Sequence, residues 1–143
     1  SDADIILMTN SAPNNDNPVG AAELESSMPD ILATGIDLWE FSGERAYHGK
    51  SIVIDDNISI IGSFNMDIRS TYLDTELMLV IDSEKINAQM SSYMEKYEKQ
   101  SVNILSDGTK ENPYNVTEAE YTSKRKARKT LIQKLFSWAR CFF

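Results

Sequence analysis

Ser51-Ile52-Val53-Ile54 and Ile58-Ser59-Ile60-Ile61-Gly62 are two β-branched apolar runs with only Asp55-Asp56-Asn57 between them. Three residues cannot carry a crossover, so the pair reads as an antiparallel hairpin around which the rest of the chain must be arranged. Two more apolar runs are expected as buried strands: Ile5-Ile6-Leu7-Met8, ended by Thr9-Asn10-Ser11, and Leu77-Met78-Leu79-Val80-Ile81. Ile36-Asp37-Leu38-Trp39-Glu40-Phe41 mixes apolar and acidic residues and is expected as a strand with one wet face. Ser11 to Pro18 reads as loop, and Val19 to Thr34 as a helix split or kinked at Pro29 and stopped by Gly35. From Glu84 to Gln100, Ile86, Met90, Tyr93, Met94 and Tyr97 recur at helical spacing. A core strand this close to residue 1 is what a piece of something longer would show.

Composition narrows the chemistry more than the fold. The 143 residues, 41% hydrophobic and 25% charged, suit one soluble globular domain. No apolar stretch approaches the roughly 18 residues of a transmembrane helix, and the opening lacks a basic-then-apolar signal pattern. Cys141 is the one cysteine and His48 the one histidine. An internal disulfide, a zinc site built on several thiolates, and any site needing two histidines are therefore excluded within one copy of the chain.

Charge divides sharply along the sequence. All 22 acidic residues fall in 1–123 with seven basic ones, whereas 124–143 holds the other seven basic residues and no acid. An acidic body with a basic tail results, and such a tail seeks phosphate. Residues 106–123 are polar, with Gly108 and Pro113, and read as a linker. In 124–143, Ala127, Leu131, Ile132, Leu135, Phe136, Ala139 and Phe142 follow helical spacing on a basic background. This tail is either a helix packing on another part of the protein or a membrane-surface helix.

The segment richest in chemistry runs from Tyr47-His48-Gly49-Lys50 through Asp55 to Gly62-Ser63-Phe64-Asn65. His48 and Lys50, two apart at the start of a strand, are expected to point to one face. An imidazole beside an ammonium suits a phosphoryl group: the lysine neutralises oxygens while the histidine attacks or protonates. Ser63 and Asn65, again two apart, can donate hydrogen bonds into the same site. Glu76 is placed to accept the other ring N–H of His48, the alternative being a solvated acid. Asp55 is expected as a turn or supporting residue. Arg69 contacts substrate or makes a scaffold ion pair, and Trp39, Phe41 and Tyr47 read as packing residues.

His48-x-Lys50, four residues, Asp55, six residues, then Gly62-Ser63-x-Asn65 resembles the HKD motif of the phospholipase D superfamily. Asp67-x-Arg69-Ser70, Asp74-Thr75-Glu76, Leu7-Met8-Thr9-Asn10-Ser11 and Gly35-Ile36-Asp37-Leu38-Trp39-Glu40 are similar to its bacterial cardiolipin synthase-like branch, in the carboxy-terminal half. The resemblance covers roughly residues 1–100.

That resemblance implies an α/β half-domain over 1–105, a mixed sheet flanked by helices, with the site at strand ends beside the interface between halves. It implies a phosphatidyltransferase acting on a phospholipid substrate without metal or other cofactor, through a phosphohistidine. His48, Lys50, Asp55 and Glu76 would be its catalytic group, and Ser63 and Asn65 its phosphate contacts. Family enzymes use two such motifs, and this chain holds one. The partner is then an amino-terminal half with the second motif, or a second copy. Peripheral placement on the cytoplasmic side of a membrane through 124–143 fits this reading. A homodimeric phosphodiesterase or nuclease, or a non-catalytic phosphate-binding half, are the alternatives, and the acidic body argues against nucleic acid.

Overall fold

Strand β1 (Ile6–Asn10) runs parallel to β2 (Asp37–Phe41), in register from Ile6 opposite Asp37 to Asn10 opposite Phe41. A parallel pair needs a long return, and α1 (Pro18–Ala33) supplies it. Asn17 caps α1 by accepting from the Val19 amide at 3.0 Å, and Pro18 fills the first turn, where its missing N–H costs nothing. Pro29 lies inside the helix, which continues to Ala33, and Gly35, at a φ of +79°, turns the chain into β2. The computed structural model describes residues 3–123 together with 127, 130 and 131.

These elements belong to the first of two compact units, made among the described residues of 3–47 and 97–123 with 127, 130 and 131. Strand β6 (Ser101–Ile104) pairs antiparallel with β2, and a short β7 (Lys110–Glu111) pairs with β6, giving a mixed sheet of order β1-β2-β6-β7. Its core is Leu32 of α1 against Leu38, Val102 and Ile104, flanked by Leu7, Met28, Ile31 and Val116. On the sheet's other face Phe41, Tyr47 and Tyr97 pack ring to ring, with centroids 4.5 to 6.4 Å apart. Asn10 grips both backbone polar groups of Tyr47, each bond 2.7 Å long.

Two expectations change in this unit. Glu40 shares the face of Leu38 and is only 8% exposed, so β2 has no wet face there. Its charge is met by Lys110 of β7, 3.4 Å away, which also binds Glu118 at 2.6 Å. The stretch 106–123, expected as a linker, supplies β7, packs Val116 on the core and ties the Tyr121 hydroxyl to Glu25 of α1 at 2.9 Å. The 124–143 tail lies outside the described residues except for Ala127, Thr130 and Leu131, which are helical.

The second unit spans residues 48–96 among those described. Here β3 (Ser51–Ile54), β4 (Ile58–Gly62) and β5 (Met78–Asp82) form an antiparallel meander. The expected hairpin is present, with Ile54 opposite Ile58 and Asp55 at a positive φ of 48° in the turn. Asn57 secures that turn by donating to Asp82 at 2.9 Å. Helix α3 (Glu84–Glu98) follows, and Asn87, 3% exposed, donates to the Ile58 carbonyl at 2.7 Å. The helix turns Asn87, Met90, Ser91 and Met94 inward, leaving Ile86 and Tyr93 of the expected apolar stripe exposed. The α/β class with sheets and helices is therefore as expected, with the strands shared between two sheets. Among the described residues no helix is long and apolar enough to cross a membrane.

Candidate functional site

A meander brings alternate strand ends together. The start of β3, the end of β4 and the start of β5 all lie at one end of the second unit's sheet, as the pairings of Ser51 with Ile61 and of Gly62 with Met78 require. The ladder extends past the strands: the Gly62 amide donates to the Lys50 carbonyl at 3.1 Å and the Ser63 amide to that of Leu77 at 3.0 Å. His48 and Lys50, Ser63, and Glu76 are thus gathered from three segments by backbone pairing alone. Gly62 permits it, because a Cβ there would collide with the Leu77 carbonyl and with Met78.

Lys50 folds back on His48. Its ammonium lies 2.6 Å from His48 Nδ1 and 2.7 Å from the His48 carbonyl oxygen. An ammonium only donates, so Nδ1 accepts and the neutral ring carries its proton on Nε2. The two residues precede β3 rather than opening it, and His48 is exposed.

Glu76 has a different partner from the one expected. It accepts from the Ser63 hydroxyl, whose oxygen in turn accepts from the Leu77 amide at 3.1 Å. Hydrogen bonds from Ser63 and then Ser70, aided by the charge of Lys50, hold its carboxyl below the ordinary 4.5. The carboxylate therefore sits beside the lysine and the serine, while Lys50 occupies His48 Nδ1.

Asn65 is tied to Ser70, which the sequence reading named only within Asp67-x-Arg69-Ser70 and gave no place in the site. Its backbone amide and its Nδ2 both point to the Ser70 oxygen, at 3.3 and 3.4 Å. Ser70 stands in α2 (Ile68–Tyr72), capped by Asp67, whose Oδ1 accepts from the Ser70 amide at 2.6 Å. The available signal was Asp67 three residues before Ser70, which reads as an ordinary helix start. Arg69 forms the scaffold ion pair, its Nε 2.9 Å from Asp74.

Asp55 is not brought to this end. Four residues of extended chain, five Cα steps, separate it from Lys50, roughly 16 Å along the strand. At its end of the sheet Asp55, Asp56, Glu84 and Glu95 line an open depression of about 570 Å³ with Asn87 and Ser91. The motif spacing that suggested a shared site runs the length of the hairpin, so Asp55 serves the turn. Among the described residues no three His, Cys, Asp and Glu side chains are grouped to hold a metal ion.

Comparison with known proteins identifies the family of the chain and the likeness of its fold. Residues 1–98 match the family model described as cardiolipin synthase, PLD-like domain. The chain is similar to cardiolipin synthase A of Erwinia tasmaniensis, 35% identical over 68 residues, which is 48% of this chain and 14% of that protein. It is also similar to cardiolipin synthase A of Buchnera aphidicola, 37% identical over 68 residues and the same shares of each chain. It therefore spans about a seventh of the length of these relatives. Its fold is similar to phosphatidylserine synthase from Haemophilus influenzae, with a TM-score of 0.64 at 14% identity over 98% of this chain and 36% of that one. Nuc, a phospholipase D family member from Salmonella typhimurium, superposes with a TM-score of 0.53 at 20% identity over 71% of this chain and 80% of its own.

Proposed function

We propose that this chain, which belongs to the family of phospholipase D-like domains described for cardiolipin synthase, is the carboxy-terminal catalytic half of a phosphatidyltransferase working through a phosphohistidine. The observation that carries the reading is the gathering of His48, Lys50 and Ser63 at one end of a sheet, with the lysine ammonium 2.6 Å from the ring. A phosphodiester is the substrate this set suits: one cation and hydroxyl and amide donors for its oxygens, and an imidazole for its phosphorus or its leaving alcohol.

In the reaction one histidine attacks phosphorus, forming a P–N bond as the P–O bond to the leaving alcohol breaks. A second histidine gives that alcohol its proton, later takes the proton of the acceptor alcohol or of water, and the P–N bond breaks as the new ester forms. Lys50 has a part in readying His48. A bare Nε2 requires the ring proton on Nδ1, which Lys50 occupies. A phosphate oxygen competes for the same ammonium, so substrate draws Lys50 off Nδ1 and frees that nitrogen for the proton. Asn65 donates its second Nδ2 hydrogen to a phosphate oxygen, and Ser63, whose one proton goes to Glu76 in this geometry, donates to phosphate once substrate draws that proton off the carboxylate.

The second histidine comes from an amino-terminal half or from a second copy. The basic residues of 124–143 would bring the acidic body to an anionic lipid surface, an attraction that salt weakens.

The test measures headgroup release from phosphatidylglycerol vesicles over a range of protein concentrations, by the chain alone and with an added amino-terminal half. Turnover is expected only with the second half or in proportion to dimer, and His48→Asn removes it without unfolding the protein. A monomer turning over at a rate independent of concentration, or a fully active His48→Asn, would overturn the proposal.

A further inference from the structure

The Ser63 hydroxyl is engaged on both sides. Its proton goes to Glu76 and its oxygen accepts from the Leu77 amide at 3.1 Å. A phosphate oxygen that takes a hydrogen bond from Ser63 must therefore win that proton from Glu76 and come to rest next to the carboxylate. Glu76 is ionised at neutral pH, since the hydrogen bond from Ser63 above all holds its carboxyl below the ordinary 4.5. From His48 to Asp82 the sequence holds two cations, Lys50 and Arg69. Arg69 is taken by Asp74 at 2.9 Å, and the carboxylate of Asp67 is turned to the Ser70 amide at 2.6 Å. Of the two cations Lys50 is left for a ligand, with Glu76 set against it.

We propose that Glu76 is a specificity-determining residue, which selects a singly charged phosphodiester over a doubly charged phosphomonoester. The proposal rests on the phosphodiester site described above and deepens it. With Lys50 alone, attraction grows with the charge of the ligand, and a phosphomonoester would bind better than a diester. Glu76 meets each of those charges with a repulsion of similar range, because the ligand must stand at the hydroxyl that Glu76 holds. A second negative charge then gains at the ammonium about what it loses at the carboxylate. What remains is the larger cost of taking a dianion out of water, and this favours the diester. The carboxylate thus acts on the choice of ligand without supplying any contact that the diester needs.

The experiment titrates the chain itself with dimethyl phosphate and with methyl phosphate at about pH 8, where the first carries one negative charge and the second nearly two. The probes are the NMR signals of the His48 ring and the Ser63 amide, so no turnover is needed. The wild type is expected to bind dimethyl phosphate more tightly. In Glu76→Gln, which keeps an acceptor for Ser63, methyl phosphate should gain about fivefold more affinity than dimethyl phosphate at low salt, and the difference should shrink as salt is raised. Glu76→Asp, which keeps the charge, should retain the wild-type order of the two ligands. Equal gains for both ligands in Glu76→Gln, or a wild type that already prefers methyl phosphate, overturn the proposal. If Glu76→Gln does not fold, Glu76→Ala takes its place with the same two outcomes. Binding of neither ligand by any form would remove the phosphodiester site and the selectivity with it. Binding of both with a ratio that Glu76→Gln leaves unchanged would remove the selectivity alone, so the two failures are distinguishable.

Discussion

The two units bury different kinds of residue. Among the described residues every buried hydrophobic side chain lies in the first unit: Leu32, Leu38, Phe41, Val102, Ile104 and three alanines. In the second unit the buried positions are Ser59, Ser70 and Asn87, all polar, while Ile52, Ile54, Ile61, Leu77, Leu79 and Val80 are exposed. The first unit is organised by area removed from water, at about 25 cal/mol per Å² of apolar surface. In the second, Ser70 and Asn87 are held by directed hydrogen bonds, which contribute about 1 kcal/mol each but fix angles and distances, while the buried Ser59 hydroxyl finds no partner. Chemistry that depends on placing an imidazole, an ammonium and a hydroxyl gains more from the second kind of order.

The sharpest attempt to break this contrast is Lys50→Met. Removing the ammonium is expected to lower phosphodiester turnover about 10³-fold with the unfolding midpoint unchanged. Loss of folding in that variant would show that the site unit relies on its cation for stability. Leu38→Ala, at a fully buried position, should cost about 3 kcal/mol in urea denaturation. Ile61→Ala, at a position 42% exposed, should cost less than about 1 kcal/mol, and equal costs would erase the distinction.

Glu40 tests the first unit from within, as the one strongly buried carboxylate among its described residues that is held by an ion pair. Burial raises its pKa above the ordinary 4.5 despite Lys110. Its contribution to stability is therefore complete below pH 4.5 and declines as pH rises through the folded value. Lys110→Met should steepen that decline and cost about 2 kcal/mol at neutral pH, moderated because Lys110 itself is partly in water. Glu40→Gln should flatten it. Thermal melts between about pH 4 and 8 measure all three, and a pH-independent Lys110→Met would refute the assignment. A smaller effect than at Glu40 is expected at Asp67→Ala, where loss of the α2 cap costs about 1 kcal/mol and speeds hydrogen exchange at Ser70.

The hairpin and the gathering of His48, Lys50 and Ser63 could be read in the sequence because short-range spacing determines them. A three-residue turn dictates its own register, and register carries the flanking residues with it. Glu40 could not be read correctly, because its cation lies 70 positions away on β7 and no local pattern announces the pairing. Asp55 lies in the turn expected of it, and the catalytic place that the resemblance implies for it is remote from Lys50, because closeness in sequence along an extended strand is distance in space. Glu76 was placed at the correct end but given the wrong partner, since choosing between His48 and Ser63 depends on side-chain reach. Ser70 was named only within Asp67-x-Arg69-Ser70 and given no role, because a serine in the first turn of a helix ordinarily does nothing more than begin it.

The missing side chain of Gly62 has a consequence for anyone mapping this protein by substitution. Any residue with a Cβ would push β5 away from β4 at the point where Ser63 meets Leu77 and Glu76. Activity would fall as though a reactive group had been removed, although Gly62 offers substrate nothing but backbone. A scan scored on turnover alone would enter a spacer in the ledger of reagents, and only a scan that also reads the Ser63–Glu76 hydrogen bond would tell them apart.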